Sequence, residues 1–338
     1  MKKTFVSLVL LGLLAVGAAA GWMYFFAQTK IVPPPVSTAA DKKPAYEFTV
    51  KPGTSLTALS RQFVAQGLLP EPHSLVWLAK LRKKTEIHAG SYRLTAPITP
   101  DALLDKLVNG DVIPIAVTFV EGSTFKQMLK IIAVHPSIKS TLQNAPYTKI
   151  LSLVGATETH PEGLFFPDTY QFASGTTDIE VLKRAYQTMQ KRLNDAWDKR
   201  VEKLPYKTPY EALIMASIIE KETGKAVERP EIGAVFVNRL RIPMRLQTDP
   251  TVIYGIGDKY DGNIRKRDLT TDTIYNTYTR DGLPPTPIAM PGQGSLDAAL
   301  NPAVSDKLYF VGKGDGTHYF SRSLDEHNRA VQKYQLGR

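Results

Sequence analysis

Thr208-Pro-Tyr-Glu-Ala-Leu-Ile-Met-Ala-Ser-Ile-Ile-Glu-Lys-Glu-Thr-Gly224 is the stretch on which the reading of this chain turns. Thr208 is an N-cap residue, Pro209 fits the first helical position, and Glu211 three places on completes a capping box. Gly224 offers a left-handed stop. Between these signals, Ala212 to Ile219 is apolar at every position except Ser217, which predicts a helix buried nearly all round. Its last turn carries Glu220 and Glu222 around Lys221. A carboxylate there meets the negative end of the helix dipole, and partial burial adds to that, so the protonated acid is favoured. A carboxylic acid kept protonated near neutrality is what a general acid requires. Periodicity leaves the choice between the two residues open.

Working outward, 338 residues suffice for two or three domains with real cores. Lys and Arg number 42 against 32 Asp and Glu, a formal charge of +10 that suits an anionic partner. With no cysteine there are no disulfides and no thiolate metal sites. Lys2 and Lys3 precede an apolar run, Phe5 to Phe26, long enough to cross a bilayer. Positive charge before the run predicts a cytoplasmic N-terminus and an exported bulk. A cleaved signal peptide ending near Ala18-Ala19-Ala20 is the competitor, but apolar residues continue through Phe26, which favours a retained anchor. Export removes nucleic acid as a partner and leaves a cell-wall polymer or membrane surface to match the basic charge.

Residues 1–28 are therefore read as cytoplasmic tip and transmembrane anchor, and 29–44, with Pro33-Pro34-Pro35, as a Pro-rich linker. Strand Tyr46–Val50, a helix on Leu56, Leu59 and Phe63, helix Ser74–Leu81, strand Gly90–Leu94 and helix Pro100–Val108 make residues 45–116 a small α+β module. The corner Val50-Lys-Pro-Gly53-Thr-Ser-Leu56 is echoed at Val120-Glu-Gly122-Ser-Thr-Phe125, a strand–turn–helix unit used twice. Residues 117–338 form the larger α+β domain: an amphipathic helix Val181–Lys203, the central helix, a helix Arg229–Leu240, and a C-terminal strand pair, Leu308–Val311 and His318–Phe320, followed by helix Leu324–Tyr334. Between them Met244–Gly294 reads as a long loop, the kind of segment that carries function.

Three stretches beside the central helix mix Pro/Gly corners with rings and neutral polar groups: His160 to Tyr170, Asn238-Arg-Leu240 with Met244 to Thr251, and Tyr275-Asn-Thr-Tyr278 with Gly282-Leu-Pro-Pro285. Sugars are bound that way, apolar faces on rings and hydroxyls on amides and carboxylates. The same residues are also ordinary turn formers. No helical zinc spacing, nucleophile elbow or phosphate loop is present, so a metal-free carboxylic-acid mechanism without cofactor is expected.

Ala216-Ser-Ile-Ile-Glu-Lys-Glu-Thr223, Asn238-Arg-Leu240, Leu246-Gln-Thr-Asp-Pro-Thr251, Tyr275-Asn-Thr-Tyr278 and Gly282-Leu-Pro-Pro285, in this order, resemble the YceG-like family of endolytic murein transglycosylases. The resemblance extends over essentially the whole chain. It implies an anchored enzyme of the inner membrane, a LysM-like glycan-binding module at 45–116 and a catalytic domain at 117–338. It assigns the catalytic acid to Glu220 rather than Glu222. Gln247, Tyr275, Asn276, Tyr278 and Ser217 are then the expected glycan-binding residues, with Glu162 and Asp249 structural. The implied reaction cleaves the bond between N-acetylmuramic acid and N-acetylglucosamine in nascent peptidoglycan strands and leaves 1,6-anhydro ends, terminating elongation beside the glycan-polymerising synthases. Two rivals remain: a non-catalytic, membrane-tethered wall-binding scaffold, and a hydrolytic muramidase using Asp249 or Glu222 as a second carboxylate.

Overall fold

The computed structural model describes residues 2–33 and 45–337, so residues 34–44 of the expected linker lie outside the described residues. The fold is mixed α+β and divides into two compact units. One runs to Ala116 and takes in Gln171–Thr176; the other holds Val117–Tyr170 and Thr177–Arg338.

In the first unit, α1 (Lys2–Gln28) contains one stretch, Leu10–Gln28, long and apolar enough to cross a membrane. Its end is anchored in protein, where Phe26 and Ala27 join the unit's core. β1 (Tyr46–Val50) pairs antiparallel with β2 (Gly90–Leu94), Phe48 opposite Tyr92. Alternation sends Tyr46, Phe48 and Val50 inward. Phe48 stacks on Tyr92 at 5.2 Å and meets the edge of Phe63 at 4.9 Å. Around them pack α2 (Leu56–Ala65), α3 (His73–Leu81) and α4 (Pro100–Val108), whose N-cap hydroxyls on Ser55 and Thr99 sit where α2 and α4 begin.

β3 (Ile115–Thr118) pairs with β4 (Thr169–Phe172), and the second unit starts within β3, at Val117. The echoed corner is real in shape: Gly53 and Gly122 both take left-handed φ, and Thr124 caps α5 (Phe125–Ala133) with Gln127 in a full capping box. A short α6 (Tyr147–Val154) follows, apolar on one side and not anticipated. The long amphipathic helix α7 (Asp178–Asp198) starts and stops earlier than expected, because Thr177 and Glu180 form a capping box ahead of the apolar run.

α8 (Pro209–Glu222) is the predicted central helix, buried at every position from Ala212 to Ile219. Its caps differ from expectation. Thr208 Oγ1 accepts the Glu211 N–H, but the Glu211 carboxylate reaches one residue further back, to the Lys207 N–H. At the other end Gly224 does not turn left-handed; Thr223 ends the helix in extended backbone, its hydroxyl accepting the Lys225 N–H at 2.9 Å.

Around α8 pack α7, α9 (Arg229–Arg241), α10 (Asp249–Ile256) and α12 (Gln293–Leu300). The segment read as a loop is therefore partly helical, holding α10 and the single turn α11 (Lys266–Thr270). Thr248-Asp249-Pro250 is a helix start, proline at its first turn, as much as a corner. The chain closes with the hairpin β5 (Tyr309–Gly312) and β6 (His318–Ser321), then α13 (Leu324–Tyr334) capped by Ser323.

Gly233 lets α9 touch its neighbours. A Cβ there would lie 2.6 Å from the Ala298 carbonyl oxygen and 3.3 Å from Ile219 Cδ1. Gly233→Ala is expected to cost about 1–3 kcal/mol by overpacking, outweighing alanine's better helix propensity. A thermal melt that rises instead would refute this.

Candidate active site

The last turn of α8 sends its two carboxylates apart, since residues two positions apart on a helix diverge by roughly 200°. Each reaches a different group of residues.

Glu222 enters a cleft of about 430 Å³ lined by Arg239, Gln247, Asp249, Tyr278, Tyr309 and His318, among others. Thr248 Oγ1 donates to its Oε1. Burial pushes this carboxyl up to about 7, and the negative charge of Asp249 adds to it, against the Thr248 bond and the positive sides of His318 and Arg239. Tyr278 donates its hydroxyl to Asp249 Oδ1 at 2.6 Å, and its own acidity is suppressed by burial and by that carboxylate.

Backbone and hydroxyl bonds bring the two sequence stretches together here. The Gln247 N–H donates to the Thr277 carbonyl at 3.1 Å, the Thr248 N–H to Thr277 Oγ1 at 3.1 Å, and the Thr251 and Thr277 hydroxyls lie 2.9 Å apart. Gln247 is held at φ 47°, a left-handed conformation costly for a residue with a side chain, and its side chain lines the cleft. Arg239 is the brace: Nε donates to the Leu308 carbonyl at 2.7 Å and Nη1 to that of Leu246 at 2.6 Å. His318 Nδ1 lies 2.8 Å from Glu228 Oε2.

Glu220 is closed in by protein. Its side chain is 5% exposed. Oε2 accepts the Gly292 N–H at 3.0 Å and the Ser295 hydroxyl at 2.7 Å, both at the start of α12, while Arg229 Nη2 lies 3.3 Å from Oε1. Arg229 also reaches Glu121 at 3.5 Å. Ser217, one turn back, is fully buried; it donates to the Ile214 carbonyl and accepts the Ile288 N–H at 3.0 Å. Both side chains pin the segment from Ile288 to Ser295 onto α8.

The remaining expected contacts divide likewise. Tyr275 places its hydroxyl 2.9 Å from that of Thr286 and its ring 4.8 Å from Tyr254. Asn276 is 1% exposed, and its amide is committed to backbone: it donates to Asp268, Leu269 and Thr271 carbonyls and accepts the Tyr278 N–H. Its place is behind the cleft wall, orienting Tyr278. Of the sequence candidates, then, Gln247 and Tyr278 gather around Glu222, whereas Ser217 gathers with Glu220. Thr248 and Arg239 lie within the marked stretches and His318 on the C-terminal strand pair; none is among the expected site residues.

Glu162 is a second buried acid. It accepts the Phe125 N–H at 2.9 Å and the Tyr254 hydroxyl at 3.0 Å, yet burial still pushes it up to about 7. Its pKa is thus higher in the fold than its ordinary 4.5, so the stability it contributes is present below that value and is lost as pH rises through about 7. Glu162→Gln, which carries no charge, is expected to lose less melting temperature than the native chain between pH 5 and 8. Parallel melting curves across that range would contradict it. Among the described residues no group of His, Cys, Asp and Glu has a metal-binding arrangement.

The model of the YceG-like family matches residues 48–333. An endolytic murein transglycosylase of Bacillus subtilis is 30% identical over 311 residues, covering 87% of this chain and 86% of that protein. One from Streptococcus pneumoniae is 26% identical, covering 97% of this chain, which in turn spans 64% of that relative's length. The crystal structure of a YceG-like protein from Listeria monocytogenes aligns with a TM-score of 0.55 at 28% identity, over 85% of this chain and 99% of that one.

Proposed function

Because this chain belongs to the YceG-like family, we propose that it is a peptidoglycan lytic transglycosylase and that Glu222, not Glu220, is its acid. The observation that carries the residue assignment is the cleft: a carboxyl pushed up to about 7 by burial, open to ligand beside Gln247 and Tyr278. Glu220 instead has both oxygens occupied by protein donors.

Glu222 protonates the glycosidic oxygen between N-acetylmuramic acid and N-acetylglucosamine, and the bond from that oxygen to muramic C1 breaks. The resulting carboxylate takes the proton of the muramic C6 hydroxyl as its oxygen attacks C1. A 1,6-anhydro ring forms, Glu222 is protonated again, and no water is consumed. Intramolecular attack supplies a nucleophile already in place, with effective molarities that reach about 10⁵–10⁸ M in well-oriented cases. The Gln247 amide and the rings of Tyr278 and Tyr309 hold the sugars. The first unit binds glycan in the manner of a LysM module, and Leu10–Gln28 anchors the enzyme to the inner membrane with its N-terminus cytoplasmic. Held there, it cuts strands as the polymerising synthases release them and so ends elongation.

Asp249 favours a second reading. It shares the cleft with Glu222, and paired carboxylates with a water between them hydrolyse glycosides. Mass spectrometry of uncrosslinked strands after incubation decides. Anhydro ends support the transglycosylase, and reducing ends mean hydrolysis. A general acid is competent below its pKa, so kcat/KM is expected to fall as pH rises through about 7. A rate that climbs across that range would exclude Glu222 as the acid.

A further inference from the structure

Beyond Glu222 and Gln247 the cleft continues along β5, where Tyr309, Phe310, Val311 and Gly312 line it consecutively. Among the described residues β5 pairs on one side only, in a two-stranded sheet with β6. The Lys313 N–H donates to the Thr317 carbonyl at 2.8 Å, marking that pair as hydrogen-bonded. Antiparallel pairs alternate between bonded and non-bonded, so in the register that sets Val311 opposite Tyr319 and Gly312 opposite His318, the N–H and C=O of Phe310 and Gly312 point away from β6. His318 obeys the same parity, its N–H turning outward to Glu228 at 2.8 Å. The sheet face at Gly312 is open: a Cβ built there would meet no described atom within 4 Å. On the same wall His327 stacks its ring 5.3 Å from that of Tyr309, and its Nδ1 is buried without a hydrogen-bond partner among the described residues.

An open strand edge beside an unpaired imidazole is chemistry for an extended peptide, which adds as a strand through its own amides. Resting on the murein reading above, we propose that β5 binds the short peptide carried by the muramic acid at the scissile bond. The peptide branches from the lactyl group of the sugar whose C1 is attacked, so a glycan seated at Glu222 delivers it into the same cleft. Phe310 and Gly312 pair with alternate peptide amides, and His327 Nδ1 takes one polar group of the peptide.

The test compares initial rates of the full-length chain in detergent on uncrosslinked strands with and without their peptides. One or two well-made hydrogen bonds make kcat/KM about tenfold higher on peptide-bearing strands. Strands whose stem amides are N-methylated, a change that leaves the protein untouched, are expected to react like stripped ones, and His327→Ala to lower the ratio. Binding of a fluorescent free stem peptide to full-length Glu222→Gln, with no turnover needed, separates the two readings. Equal rates on both substrates overturn the peptide site and leave the enzyme assignment standing. No cleavage of either substrate, with stem peptide still bound, overturns the enzyme and keeps the site. No cleavage and no binding overturn both.

Discussion

Glu222→Gln is expected to lower turnover of uncrosslinked glycan strands by about 10²–10⁴-fold, the usual worth of a positioned general acid and base. In the proposed reaction one side chain serves in both halves, which puts the expected loss toward the upper end. The fold should survive. Glutamine keeps an oxygen for the Thr248 hydroxyl, and removing a carboxylate that burial and Asp249 already disfavour takes away a cost. Loss of activity with an unchanged melting curve is therefore the signature. Glu220→Gln should give the opposite pattern, turnover within a few-fold and a weaker fold. Should Glu220→Gln be inactive at full stability while Glu222→Gln still cleaves, the acid is Glu220 and the cleft serves only to hold glycan.

Glu220→Ala carries the largest expected loss of stability. It removes the acceptor for the Gly292 N–H and the Ser295 hydroxyl and leaves Arg229 buried beside a cavity. Breaking a buried pair from one side costs about 3–5 kcal/mol, chiefly because the remaining charge loses its partner. Glu121, the other carboxylate near Arg229, is solvent-exposed and 3.5 Å away, and compensates only in part. Chemical denaturation measures the loss directly. Pairing Glu220→Ala with Arg229→Met should return part of it, since the orphaned charge leaves with its partner. A double variant that is simply the sum of the two singles would refute the coupling.

Much of this architecture is legible in the residues because its signals are local. Pro100–Val108 and Tyr46–Val50 form over the spans that periodicity and turn residues mark, and α8 runs from its proline to its second glutamate. The structure departs from the local signals where one signal has two meanings. Thr248-Asp249-Pro250 serves equally as corner and as helix start, and the choice is made by Thr251 and Val252 finding buried places against α8. Gly224 permits a left-handed stop but does not compel one, and the Thr223 hydroxyl supplies another ending.

What the sequence determined by itself is the inventory: an apolar helix closing on two carboxylates, a membrane-length N-terminal run, a small module ahead of a larger domain, and polar stretches suited to a glycan. Helix caps, two-fold and 3.6-fold periods and composition are properties of neighbouring residues, so no folded partner is needed to read them. Which carboxylate lines a cleft was decided only in three dimensions. Glu220 and Glu222 have the same chemistry and nearly the same position. One is closed off because residues 292 and 295, over seventy positions later, bring their donors to it. The other stays open because the 247–249 and 276–278 segments, equally remote, fold into walls around it and strip away its water. Acidity depends on that desolvation and on those distant charges, and neither is a property of the residue or of its neighbours in the chain.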